Sequence, residues 1–115
     1  HLPSLAERVK KEGMGWTWVC DPMHGNTALT EGGIKTRNFD SVLDEIRLSG
    51  AVFKEKGIPF GGVHFELTGD DVTECIGGAV NLRQSDLDKN YTSYCDPRLN
   101  YSQSLEMAFL ISKLF

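Results

Sequence analysis

No apolar run in this 115-residue chain approaches the roughly 20 residues that a bilayer span requires, so an integral helical membrane protein is not expected. The N-terminal residues are polar and helix-like rather than a charged stub leading into an apolar core, which argues against a secretory leader. There is no excess of positive charge: the formal net charge is −4, and Lys and Arg are scattered rather than gathered in a stripe with aromatics. Nucleic acid is therefore not an expected partner, and an anionic substrate would need a local basic pocket. Cysteine is scarce. Cys20, Cys75 and Cys95 are odd in number and lack CxxC spacing, which points to a reduced, cytosolic-type compartment and to burial as small apolar residues. With 40% hydrophobic and 24% charged residues, the whole of 1–115 reads as one ordinary globular segment.

What is present is organised around Trp16-Thr17-Trp18-Val19-Cys20-Asp21-Pro22-Met23-His24-Gly25-Asn26-Thr27. A β-favouring run stops at Asp21-Pro22 and delivers an imidazole beside a glycine, as expected of a residue held on a tight turn at a strand's end. A second phrase, Tyr94-Cys95-Asp96-Pro97-Arg98-Leu99-Asn100, repeats the Cys-Asp-Pro core, and Gly62 to Leu67 forms a third strand-like run with Glu66 near its end.

The spacing of Leu2, Leu5, Ala6 and Val9 predicts a first helix, with Ser4 and Glu7 as a capping box and Gly13 as its stop. Strand one is expected at Trp16 to Cys20, followed by a long glycine-containing site loop through Gly32-Gly33. A second helix is expected from Asn38, carrying Phe39, Val42, Leu43, Ile46 and Phe53 on one face and ending at Gly57 and Pro59, with Gly50 weakening its interior. Strand two is expected at Gly62 to Leu67 and strand three at Tyr91 to Cys95. The stretch between them resists assignment, offering only a short helix near Ser85. A last helix opens on Asn100 with Gln103 and carries a wide apolar face.

This alternation is an α/β pattern with parallel strands. His24 and Glu66 are 42 residues apart, and Glu66 and Asp96 are 30 apart. Those intervals compare with the roughly 30 residues per unit of a (β/α)₈ barrel, so the chain would form about three units of the eight. In such barrels side chains from different strand ends converge on one mouth. An imidazole and two carboxylates suit Mn²⁺, Fe²⁺, Co²⁺ or Zn²⁺ better than Ca²⁺. Each residue also has a plainer role: His24 could cap a turn, Asp96 could make an Asx turn before Pro97, and Glu66 could pair with a lysine. His64 shares a strand face with Glu66, as either a packed histidine or a neighbour of the site.

Taken together, Trp18-Val19-Cys20-Asp21-Pro22-Met23-His24-Gly25-Asn26-Thr27, Lys35-Thr36-Arg37, Gly61 to Gly69, Val72 to Gly78 and Cys95-Asp96-Pro97-Arg98-Leu99-Asn100 followed by Gln103-Ser104-Leu105-Glu106 resemble the C-terminal part of type II 3-deoxy-D-arabino-heptulosonate 7-phosphate (DAHP) synthases. The resemblance covers nearly the whole chain. It implies the C-terminal portion of a (β/α)₈ TIM barrel that condenses phosphoenolpyruvate with erythrose 4-phosphate, the first step of the shikimate pathway to aromatic amino acids. It further implies His24, Glu66 and Asp96 as ligands of a divalent metal, Mn²⁺ or Co²⁺ foremost and Zn²⁺ or Fe²⁺ as alternatives. A fourth ligand, a cysteine, and most phosphoenolpyruvate-binding residues would come from earlier barrel strands that these residues do not include. Lys35 and Arg98 are the basic residues expected nearest the substrate's phosphate or carboxylate oxygens. The remainder of the barrel is the expected partner, in a homo-oligomer located in the cytoplasm, or in a plastid if the source is a plant.

Two other readings remain at this stage: a non-catalytic barrel fragment that self-associates through exposed apolar faces, and an unrelated metal-dependent hydrolase using the same three ligands. The reading as a synthase fragment predicts that the isolated 115 residues consume no phosphoenolpyruvate when mixed with erythrose 4-phosphate and Mn²⁺ or Co²⁺. Loss of phosphoenolpyruvate absorbance measures this directly, and sustained turnover by a monomer would contradict it.

Overall fold

The structure, a computed structural model, describes all of residues 1–115. Its elements are α1 (Leu2–Lys11), β1 (Trp18–Cys20), β2 (Thr27–Leu29), β3 (Lys35–Arg37), α2 (Phe39–Lys56), β4 (Phe60–Val63) and α3 (Tyr101–Ser112), with short 3₁₀ turns at His24–Asn26 and Gln84–Asp86. The α/β class is as expected, but the parallel sheet has two strands rather than three: β1 pairs with β4.

β1 and β4 run side by side with Trp18 opposite Phe60, Val19 opposite Gly62 and Cys20 opposite Val63. The approach is close enough to demand glycine. A Cβ on Gly61 would lie 2.5 Å from the Thr17 side chain and 2.6 Å from the Trp18 carbonyl oxygen. His64 extends the pairing by donating its N–H to the Cys20 carbonyl at 2.8 Å. α2 connects the two strands and covers the sheet, with the Phe53 ring 5.4 Å from Trp18 and 5.6 Å from Phe60. Its inward residues Phe39, Val42, Leu43 and Ile46 join Cys20, Met23, Cys75, Leu99 and Met107 in the main core.

The helix ends follow from their caps. Asn38 Oδ1 accepts the N–H groups of Asp40 at 2.8 Å and Ser41 at 3.3 Å, and Gly57 closes α2 in the left-handed region. Asn100 and Gln103 form the expected reciprocal capping box at α3. α1 departs from expectation: the Ser4 hydroxyl donates to the His1 carbonyl instead of accepting from the backbone, so no box forms. Gly50 is not a mere weakness in α2 either. A Cβ there would lie 2.7 Å from the Phe115 ring, which stacks on Phe60 with ring centres 4.5 Å apart. On α3 only Gln103 and Met107 are buried, while Tyr101, Leu105 and Phe109 are exposed.

Two other expectations are corrected. The glycine-containing stretch after His24 is a β-hairpin, in which Thr27 pairs with Arg37, Ala28 with Thr36 and Leu29 with Lys35, turning through Gly33 at φ +80°. Gly25 takes no left-handed angle, and the turn bearing His24 is a 3₁₀ one. The strand expected at Tyr91 to Cys95 does not form. Its backbone is committed elsewhere: the N–H groups of Thr92 and Ser93 donate to Glu74 Oε2 at 3.0 and 2.9 Å, and that of Arg98 donates to Glu74 Oε1 at 3.0 Å. Donors consumed by a carboxylate cannot build a ladder. A single parallel bridge forms just beyond, between Leu67 and Leu99.

Glu74 is fully buried. Burial works against its charge, but the Arg98 guanidinium and the three backbone donors outweigh it and hold the carboxyl at about 2, below the usual 4.5. Because the folded-state value is the lower one, its stabilising contribution is complete above about pH 4.5 and is lost as pH falls through about 2. Glu74→Gln removes the buried member of the ion pair and leaves the part-exposed Arg98 to water, which should cost about 1.5–3 kcal/mol. Urea unfolding near pH 7 measures that loss, and the variant should also lose part of the acid sensitivity between pH 4.5 and 2. Unchanged stability at both pH values would show that Glu74 does not organise this segment.

Candidate metal centre

His24, Glu66 and Asp96 come together although they lie on three separate segments: the turn after β1, the chain beyond β4 and the loop before α3. His24 Nε2 lies 3.4 Å from Glu66 Oε1 and 3.9 Å from Asp96 Oδ2, and one ligand atom from each residue falls within 4.8 Å of the others. Two donors bound to one transition-metal ion at about 2.0–2.2 Å can be at most about 4.4 Å apart, and both of the separations from Nε2 fit inside that span. The donor set, one imidazole and two carboxylates, is borderline to hard and leaves further coordination positions open.

Local structure dictates how His24 is presented. Asp21 Oδ1 accepts the N–H groups of Met23 at 3.0 Å and His24 at 3.2 Å, which turns the chain immediately after β1. Asp21 Oδ2 lies 2.7 Å from His24 Nδ1. An ionised carboxylate only accepts, so Nδ1 is the donor and Nε2 is the nitrogen turned toward Glu66 and Asp96. Burial opposes the Asp21 charge, but hydrogen bonds from the His24 ring and from the Met23 and His24 N–H groups prevail, and its carboxyl sits below the usual range.

The hairpin carries the balancing cations. Lys35 and Arg37 are two residues apart on β3 and so share a face, while Thr36 points the other way, buried, with its hydroxyl donating to the Glu74 carbonyl at 2.9 Å. Lys35 Nζ lies 3.6 Å from Asp96 Oδ1, and Arg37 Nη1 pairs with Glu66 Oε2. Three carboxylates against two cations, with a neutral imidazole, leave one net negative charge for a cation to meet.

Each of the three candidate ligands is thus in place, and Lys35 stands beside them. Arg98 is engaged with Glu74, through Nε at 3.0 Å and Nη2 at 3.0 Å, and with Thr92. His64 lies nearly parallel to His24 with ring centres 6.2 Å apart, a neighbour rather than a fourth donor in the group. Cys20 and Cys75 are buried as expected, and burial pushes the Cys75 thiol up to about 12, so neither offers a thiolate to the site. Cys95 is exposed, contrary to expectation. The largest cavity, about 480 Å³, lies elsewhere, between α2 and the chain's end, and none of the triad lines it.

Asp21 and Arg37 were legible as residues but not as parts of the site. The signals were an acid three residues before a histidine at a strand end, and a second cation two residues after Lys35, which a strand places on the same face.

Comparison with known proteins gives the family of the chain. Residues 1–112 match the class-II DAHP synthetase family. The chain is 51% identical over 114 residues to a phospho-2-dehydro-3-deoxyheptonate aldolase of Streptomyces coelicolor, covering 99% of this chain and 25% of that protein. It is 55% identical over 113 residues to the protein of the same name from Neurospora crassa, covering 96% of this chain and 24% of the relative. A Streptomyces lividans protein of that name is 49% identical over 114 residues, which amount to 99% of this chain and 77% of the relative. The chain therefore spans about a quarter of the length of the first two. A match across nearly all of its residues, with identities near one half to each relative, places the chain in the class-II DAHP synthetase family.

Proposed function

We propose that this chain supplies three metal ligands and part of the substrate surface of an enzyme that condenses phosphoenolpyruvate with erythrose 4-phosphate, giving DAHP and phosphate. The observation that carries the reading is the convergence of His24 Nε2, Glu66 Oε1 and Asp96 Oδ2 in a member of this family. These three residues would hold a divalent ion, Mn²⁺ or Co²⁺, whose Lewis acidity would polarise the sugar aldehyde toward the methylene carbon of phosphoenolpyruvate. Asp21 keeps the Nε2 lone pair of His24 aimed at the ion by accepting the proton-bearing Nδ1. Lys35, half exposed beside Asp96, offers its ammonium to a phosphate or carboxylate oxygen. Arg98 keeps Nη1 free of hydrogen bonds within the chain and contributes from the Asp96 side. Once the new carbon–carbon bond has formed, water adds to the former enol carbon and phosphate leaves it.

The same reading supports a (β/α)₈ barrel as the complete fold. β1, α2 and β4 form a right-sized β–α–β unit with parallel strands, the Leu67–Leu99 bridge adds a further parallel contact, and the apolar flank of α3 is left for other barrel elements to cover. The fourth ligand, a cysteine, belongs to those elements.

The test is a graft. Residues 1–115 replace the matching quarter of the Streptomyces coelicolor relative, and phosphoenolpyruvate consumption is followed with erythrose 4-phosphate and Mn²⁺. The graft should turn over, and His24→Ala in it should lower kcat by at least about 10³-fold together with metal content; full activity in the variant would refute the ligand assignment. Asp21→Asn should weaken Mn²⁺ binding by about 10–100-fold while the ligands remain, as expected for a group that orients a ligating imidazole. Equilibrium dialysis measures this, and an unchanged affinity would remove Asp21 from the site.

A further inference from the structure

Arg37 is the most deeply buried cation of the chain, 1% exposed, and its hydrogen bonds do not look like those of a structural arginine filling a core. Nη1 reaches two acceptors from different segments: Glu66 Oε2 and, at 2.7 Å, the Pro97 carbonyl oxygen. Nε donates to Thr27 Oγ1 at 2.9 Å, and Thr27 is the residue directly paired with Arg37 across the hairpin. Nη2 is buried and finds no partner within the chain. A desolvated guanidinium is costly to hold, and leaving one of its nitrogens unsatisfied adds to the cost.

The geometry at Glu66 gives that cost a use. Its carboxylate is divided: Oε2 is taken by Arg37, and Oε1 is the oxygen 3.4 Å from His24 Nε2. The bond to the Pro97 carbonyl holds the Pro97–Arg98 peptide, one residue beyond Asp96, whose Oδ2 faces the same nitrogen at 3.9 Å. One planar group thus determines where both acids stand relative to the imidazole. We infer that Arg37 is the positioning residue of the cation site: from the hairpin it clamps Glu66 by its outer oxygen and the Asp96–Pro97 segment by its carbonyl, so that each acid presents one oxygen to the ion.

Lysine cannot substitute. An ammonium is a point charge on a flexible stem, without the rigid fork that spans a carboxylate, a carbonyl and a threonine hydroxyl at once. Thr27 serves as the rear anchor, and losing its hydroxyl frees the guanidinium to swing.

The inference rests on the metal reading, and the experiment separates the two. Co²⁺ is titrated into the metal-free chain and into its Arg37→Lys, Thr27→Val and His24→Ala variants, reading affinity by calorimetry and coordination by the visible d–d spectrum. The expected result is that His24→Ala loses the signal, that Arg37→Lys binds about 10–100-fold more weakly with a changed spectrum, and that Thr27→Val, with every ligand and the guanidinium intact, binds several-fold more weakly. Should Arg37→Lys fail to fold, judged by circular dichroism, Thr27→Val decides alone. Wild-type affinity and spectrum in the folded Arg37 variant, or in Thr27→Val, would overturn the positioning role while leaving the metal site standing. Absence of Co²⁺ binding by the unmodified chain would overturn both.

Discussion

The buried carboxylate of Glu74 is the constraint on which the rest of the molecule depends. It collects the backbone N–H groups of Thr92, Ser93 and Arg98 together with the Arg98 guanidinium, so the path of the chain on either side of Asp96 is set by one side chain. Its own segment is held in turn by the hairpin: Thr36 donates to the Glu74 carbonyl, Ile76 donates to the Arg37 carbonyl at 2.9 Å, and Phe39 donates to the Ile76 carbonyl at 2.9 Å. Residues 74–76 therefore lie between the arm that bears Lys35 and Arg37 and the loop that bears Asp96. The arm keeps its own hairpin ladder and the loop has none, yet both are fixed to the same short stretch of irregular backbone. Gln103 completes the arrangement by donating to the Cys75 and Gly77 carbonyls, which ties α3 to that stretch as well.

The site itself is an exercise in charge placed ahead of need. Two carboxylates and a histidine brought within reach of one another would repel or scatter in an unpaired state, since like charges a few ångströms apart raise each other's energy. Here each acid has its own cation, Lys35 for Asp96 and Arg37 for Glu66, delivered from alternate residues of one strand. The two differ in burial. The Arg37 side chain is wholly enclosed and Lys35 is half exposed, so the first is held in a fixed position and the second remains open to solvent.

How much of this was visible in the sequence depended on whether a residue's partner was local. The caps at Asn38 and Asn100 were legible because the bonds they make close within three residues. β1 and β4 were legible from composition, though β1 begins at Trp18 rather than Trp16 and β4 spans Phe60–Val63 rather than Gly62 to Leu67, which leaves Glu66 beyond the strand. The His24, Glu66 and Asp96 set was legible because each follows a strand-like run or a repeated phrase, and the structure brings the three together. Tyr91 to Cys95 was misread as a strand because its N–H groups are satisfied by a carboxylate 18 to 19 residues away, and no local pattern announces a buried glutamate. The hairpin was misread as a loop for the complementary reason. Its strands are three residues each, too short to show an alternation, and the burial of Arg37 two residues after Lys35 has no local sequence signal.

The repeated Cys-Asp-Pro phrase makes the same point at the level of single atoms. At 20–22 the cysteine is buried beneath α2, with its thiol 3.6 Å from the Ser49 hydroxyl, and the aspartate is spent on the turn and on the His24 ring. At 95–97 the cysteine faces solvent and the aspartate faces His24 directly. What separates the two is the destination of the neighbouring backbone. After Asp21 the Met23 and His24 N–H groups are left without sheet partners and fold back onto its carboxylate; after Asp96 the Arg98 N–H donates to Glu74 and the Leu99 N–H to the Glu66 carbonyl at 3.1 Å, and the Ser93 hydroxyl donates to the Asp96 carbonyl at 2.7 Å. An aspartate with no backbone donors to satisfy is free to point across a gap, and that freedom lets Asp96 face His24 Nε2 while Asp21 is occupied by its own turn.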